Sequence, residues 1–132
     1  MRIRENICVC RGDSLAKHEF GIIDCFKEGK WYSDYKPEKY NCISVDDGLL
    51  EEMIIKYNEE LMEIKTYFQV TTQPGSGLDY YGVTLIPPDS LRQFKDIIIE
   101  LNNDYGYQQL ELLIQKISEA IRENKYLIHY GI

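Results

Sequence analysis

The stretch DYYGVTLIPPDSLRQFKDIIIEL, Asp79 to Leu101, sets a strand, a two-proline corner and a helix end to end. In an extended chain Tyr81, Val83 and Leu85 share one side, and Tyr80, Thr84 and Ile86 the other, with Gly82 among the latter. Pro87 and Pro88 cannot donate to a ladder, so the strand must stop there. Proline suits a first helical turn, and Asp89 or Ser90 can cap the free amides. Leu91, Phe94, Ile97, Ile98 and Leu101 then recur at helical spacing. Such a corner can hold a phosphate or a nucleophile. This one has no glycine to let a ligand near the backbone and no nucleophile beside a base, so it reads as a joint.

Downstream, NNDYG (102–106) ends that helix, and a third helix over about 107–123 turns Leu110, Leu113, Ile114, Ile117 and Ile121 inward. KYLIHYGI (125–132) reads as a terminal strand. Upstream, Ile64, Thr66, Phe68 and Val70 alternate with Lys65, Tyr67, Gln69 and Thr71, a strand that ends in the QPGSG loop at 73–77. Before it, Leu49, Leu50, Met53, Ile54, Tyr57 and Leu61 form a helical stripe, with Ser44 or Asp46 able to cap its start. Residues 18–26 and 31–35 read as a hairpin turning at Gly29, and 40–45 as a further strand. The order is β, β, β, α, β, β, α, α, β. It predicts one α+β domain over residues 1–132, with a mostly antiparallel sheet of about five or six strands packed against three helices.

Composition narrows the partners. Hydrophobic residues make up 44% and charged residues 28%, which fits a folded globular chain. The net charge of −7 opposes nucleic-acid binding, which replaces counterions with Lys and Arg, and opposes anionic membranes. It permits a basic partner, with which steered association can be very fast. No apolar run is long enough to span a bilayer, and the charged N-terminus lacks a signal-peptide core. Cys8, Cys10, Cys25 and Cys42 form no compact disulfide framework, so the expected compartment is a reducing cytoplasm. Eleven tyrosines against four phenylalanines suit half-buried sheet faces or a protein interface.

The residues that could carry chemistry are few. Cys8-x-Cys10 lacks the second pair of a zinc site and reads as small buried hydrophobes, so no metal or cofactor is expected. Cys25 or Cys42 with His18 or His129 could form a nucleophilic dyad, but no local signature surrounds either cysteine. His129, in an apolar strand, reads as a hydrogen-bonded structural residue. PGSG lacks the lysine and helix of a phosphate cradle, and RGD at 11–13 is a chance tripeptide. The carboxylates Asp46, Asp47, Glu51, Glu52, Glu59 and Glu60 read either as a solvated helix face or as an acidic docking patch. Tyr57, Tyr67 and Tyr80 are the candidate aromatic anchors of such a patch.

GVTLIPPDSLRQFKDII (82–98), taken with KYLIHYGI (125–132), resembles small bacterial immunity proteins. These are cognate antidotes to the C-terminal toxin domains of contact-dependent growth inhibition and related polymorphic toxin systems. The likeness lies in a strand, an I-P-P-D-S-L corner, a helix and a closing I-H-x-G-I strand, mainly within residues 80–132. It implies a cytoplasmic, non-enzymatic α+β protein that binds a toxin domain, often a nuclease, and blocks its active site or substrate groove. No site residue carries over from it. The alternatives are a small cytoplasmic adaptor or subunit of a larger complex, and a Cys/His-dependent enzyme.

Overall fold

The two prolines part strand from helix where their chemistry requires it. In the computed structural model, which describes residues 16–132, strand β5 (Val83–Ile86) stops at Pro87 and helix α2 (Pro88–Tyr105) begins at once. Pro87 itself is the extended N-cap residue, and no side chain caps the helix. The Ser90 hydroxyl instead donates to the Lys65 carbonyl at 2.6 Å, tying α2 to an earlier strand, β3 (Lys65–Phe68). Asp89 stays in the first turn, where its charge suits the positive end of the helix.

The remaining elements are β1 (Lys17–Ile23), β2 (Ile43–Asp46), α1 (Asp47–Met62), β4 (Pro74–Ser76), α3 (Gln108–Glu123) and β6 (Tyr126–Tyr130). The six strands form one antiparallel sheet in the order β2-β1-β6-β5-β3-β4. With its three helices this is the α+β arrangement that the apolar periodicities predict. All five stripe residues of α2 are buried, as are Leu50, Met53 and Leu61 of α1 and Leu110, Leu113 and Ile117 of α3. They pack against Phe20, Ile22, Val45, Ile86 and Leu127 on one face of the sheet. Among the described residues no helix is long and apolar enough to cross a membrane.

Residues 31–35 do not form a strand. Gly29 does turn, at φ +78°. Both edges of β1, however, are already taken, one by β2 and the other by β6, so a returning hairpin arm has nothing to pair with. The segment from Asp24 to Cys42 instead straps the other face of the sheet. There Phe26, Tyr32 and Tyr40 cover Ile23, Val83, Leu85, Ile128 and Tyr130. Tyrosine suits this layer because the ring fills space while the hydroxyl can reach a backbone partner, as those of Tyr32 and Tyr130 do. The Lys27 amide donates to the Tyr32 hydroxyl at 3.0 Å, and the Tyr130 hydroxyl donates to the Asp34 carbonyl at 3.1 Å. The sixth strand is β4, within the stretch read as a loop. Gly75 lies against the Phe68 ring, where an added methyl would stand 2.5 Å from the ring tip and force it to move.

The strap lies close against β1 at Gly21, where an added methyl would stand 2.6 Å from both the Tyr40 carbonyl oxygen and the Cys42 sulfur. Gly21→Ala should therefore force the strap off the sheet and cost roughly 1–3 kcal/mol. Urea denaturation checks this: an unchanged midpoint would mean that the strap is not packed against Gly21.

Candidate functional site

Strand alternation places His18, Phe20 and Ile22 of β1 on the helix-facing side, together with Leu127 and His129 of β6 and Thr84 of β5. The two histidines are fully buried, and so is Thr84. A neutral imidazole must satisfy both ring nitrogens, one as donor and one as acceptor. Here they satisfy each other: His18 Nδ1 lies 2.8 Å from His129 Nε2. His18 Nε2 reaches Asp47 Oδ1 at 3.0 Å, and the Tyr80 hydroxyl donates to the same oxygen. His129 Nδ1 lies 3.3 Å from the Thr84 hydroxyl, which also accepts the Asp79 amide at 2.8 Å. Tyr80 presents its ring edge to His18, centroids 4.7 Å apart. Five side chains from β1, β5, β6, α1 and the segment before β5 thus form one polar chain.

Burial holds both histidines below their ordinary basicity. For His18 the neighbouring Asp47 carboxylate opposes that effect, and for His129 the adjacent His18 adds to it. The chain leads from the interior to the first turn of α1, where Asp47 is 18% exposed.

The thiol–imidazole pairs of the alternative enzyme reading are not assembled. Cys42 packs in the tyrosine layer beside Gly21, on the face of the sheet opposite the histidines, and burial pushes its thiol up to about 12. Cys25 is an exposed free thiol just past β1. Cys8, Cys10 and the RGD tripeptide lie outside the described residues. Among the described residues no group of three or more His, Cys, Asp or Glu is placed to hold a metal ion.

The six carboxylates of the expected patch divide into two kinds. Asp47 turns inward to His18 and Tyr80, with only 18% of its side chain exposed. Tyr80 is likewise committed as its donor rather than standing exposed. Asp46, Glu51, Glu59 and Glu60 remain exposed, and the Asp46 amide donates to Gln109 Oε1 at 2.8 Å. Glu52 accepts the Tyr105 hydroxyl at 2.7 Å. Beside it Lys56 pairs with Asp104 at 3.2 Å and lies 5.0 Å above the Tyr105 ring. Tyr57 is half-buried against the core, near Asp104, Glu100 and Glu60. Tyr67 is separate from the patch, because it packs against the tyrosine layer on the far face of the sheet.

Sequence reading missed two groups here. Tyr105 and Tyr107 stack at 5.6 Å beside the Glu52–Lys56–Asp104 cluster, and Tyr107 stays exposed. Ile55, Met62 and Tyr81 are open to solvent; Ile55 follows Glu51 by one turn on the same flank of α1, and Met62 lies beyond the break in the helix at Tyr57 (φ −124°, ψ 31°). Apolar side chains on a polar face were the available signal for this second group. Comparison of the chain with family models, with curated proteins and with solved structures gives no match.

The buried histidines fix the sign of a pH effect. Their folded-state basicity is lowered, so below about pH 6.5 the unfolded chain binds more protons than the native one. Stability should be fully present above that pH and fall as the solution is acidified, by up to about 1.4 kcal/mol per pH unit for each histidine left neutral. Urea midpoints measured from pH 7.5 to 5 check this, and a curve that is flat over that range contradicts it.

Proposed function

We propose that this chain is an immunity protein, a non-enzymatic binder that neutralises a cognate bacterial toxin domain by covering its active site or substrate groove. One observation carries the reading: the outer surface of α1 sets exposed carboxylates beside solvent-open apolar anchors. Glu51, Glu59 and Glu60 stand exposed there, with Ile55 76% and Met62 54% open. Tyr81, also 76% open, stacks edge-on against Tyr80 next to Asp47. Large apolar side chains beside a surplus of one charge are what a protein interface needs: buried anchors for affinity and a field for steering. A nuclease displays a basic groove for its polyanionic substrate, so a net charge of −7 steers this protein to the same groove. The reading places the protein in the cytoplasm, where such a toxin meets nucleic acid.

The contact is drawn from Asp46, Glu51, Glu52, Glu59 and Glu60, with Tyr57 at its edge and Ile55, Met62 and Tyr81 as anchors. The adaptor reading uses the same surface and differs in its partner; a toxin reading frame beside this one in the genome separates the two.

Glu51 is the cleaner probe of steering, because Glu52 also holds the Tyr105 hydroxyl. With the toxin domain encoded alongside, Glu51→Lys should slow association by on the order of tenfold at low salt and flatten its salt dependence, leaving dissociation nearly unchanged. Stopped-flow association at two ionic strengths reads this. Equal rates for the variant and the native protein would remove α1 from the interface. Failure of co-expression to rescue growth from that toxin would remove the function itself.

A further inference from the structure

The polar chain has only one arrangement of protons that satisfies every member while both histidines are neutral. The Asp47 carboxylate can only accept, so His18 Nε2 carries the hydrogen. His18 Nδ1 must then accept, which puts a hydrogen on His129 Nε2 across the 2.8 Å gap. His129 Nδ1 is left to accept from the Thr84 hydroxyl, whose oxygen in turn accepts the Asp79 amide. Every donor points the same way, from Asp79 through Thr84, His129 and His18 to Asp47, where the Tyr80 hydroxyl arrives from the other side.

One proton taken from water can be housed without parting the rings. Placed on His129 Nδ1 it donates to the Thr84 oxygen, and the Thr84 hydroxyl loses its acceptor. Moving the gap hydrogen from His129 Nε2 to His18 Nδ1 then leaves the charge on His18, next to the Asp47 carboxylate. The two forms hold the same number of protons and differ by one hydrogen crossing the gap, so the pair titrates as a unit. A second proton cannot be accommodated, because it sets N–H against N–H at 2.8 Å in a site without water access. The titratable groups facing the pair are Asp47 of α1, Tyr80 before β5 and, beyond Tyr80, Glu51 of α1. The Phe20 ring packs on His129 at 4.9 Å.

We propose that the Thr84–His129–His18–Asp47–Tyr80 chain is a proton-counting latch. It is closed when the histidine pair is neutral, stays closed with one shared proton, and is forced open by a second. Opening separates β1 from β6 at their buried side and releases Tyr80 and the first turn of α1. The latch is a property of the folded chain alone and stands whether or not the docking reading holds.

The chain has only two histidines, so imidazole nitrogen NMR of the full-length protein labelled at histidine reads both without overlap. Near pH 7.5 both rings should be neutral and carry their hydrogen on Nε2. On acidification His129 Nδ1 should take up the proton while His18 Nδ1 and His129 Nε2, sharing the gap hydrogen, shift in opposite directions at the same midpoint, and entry of the second proton should coincide with loss of the native spectrum. Either ring with its hydrogen on Nδ1 at neutral pH overturns the proposal. So do two rings titrating separately while the fold persists. Tyr80→Phe keeps the ring and removes one donor from Asp47, so the carboxylate should hold a charged His18 more tightly. The common midpoint should rise by roughly half a unit or more; an unmoved midpoint contradicts the latch, since a merely packed Tyr80 would leave it in place.

Discussion

The hydrogen bond between His18 and His129 is the constraint on which the rest of the structure leans. It joins residues 111 apart in sequence, within a layer where neither ring has contact with solvent. An imidazole deprived of water must find both a donor and an acceptor, and leaving one unmet costs about 1–3 kcal/mol. Satisfying this pair fixes the register of β1 on β6, aligns Thr84 of β5 beside them, and draws the first turn of α1 down through Asp47. The apolar core alone tolerates changes of side-chain shape at fixed volume. The polar chain does not, because each of its members has one place to go.

The two faces of the sheet follow from that alignment. The helices cover the side bearing the histidines, and the strap from Asp24 to Cys42 covers the other, held by tyrosine hydroxyls. The Tyr35 hydroxyl donates to the Glu19 carboxylate at the rim of this second layer, which accounts for a carboxylate lying mostly buried in β1. With Asp47 anchored inward, α1 turns Glu51, Ile55, Glu59 and Met62 outward. The surface used by the proposed docking function is thus set by an interior interaction rather than by the helix alone.

Helical stripes and the proline corner were legible because their signals are local. Leu91, Phe94, Ile97, Ile98 and Leu101 can face one way only if the chain is helical, and they all do. The α+β class follows from the order of such segments. Pairing was not legible. Residues 31–35 have strand composition, yet β1 had no free edge to offer them. The three residues of β4 have almost none, yet they pair with β3 because the chain turns tightly there, with the Phe68 amide donating to the Gln73 carbonyl at 2.9 Å. The same holds at the site. The acidic residues of α1 could be named from sequence, but the inward turn of Asp47 and Tyr80 depends on His18, which arrives from another strand. Tyr67 looked equivalent to Tyr57 until sheet alternation put it on the opposite face. His18 did carry one readable clue, since its spacing with Phe20 and Ile22 sets it on an apolar side.

The central claim is that these five side chains act as one unit. A double-mutant cycle on Tyr80→Phe and His129→Gln tests it most directly, since the two residues are joined through His18 and each substitution keeps a side chain of similar size. Unfolding free energies at pH 7.5 should be non-additive, with a coupling of at least about 0.5–1 kcal/mol. Additivity within about 0.3 kcal/mol would mean that the two ends of the chain do not sense each other, and the account of a single polar constraint organising this fold would be wrong.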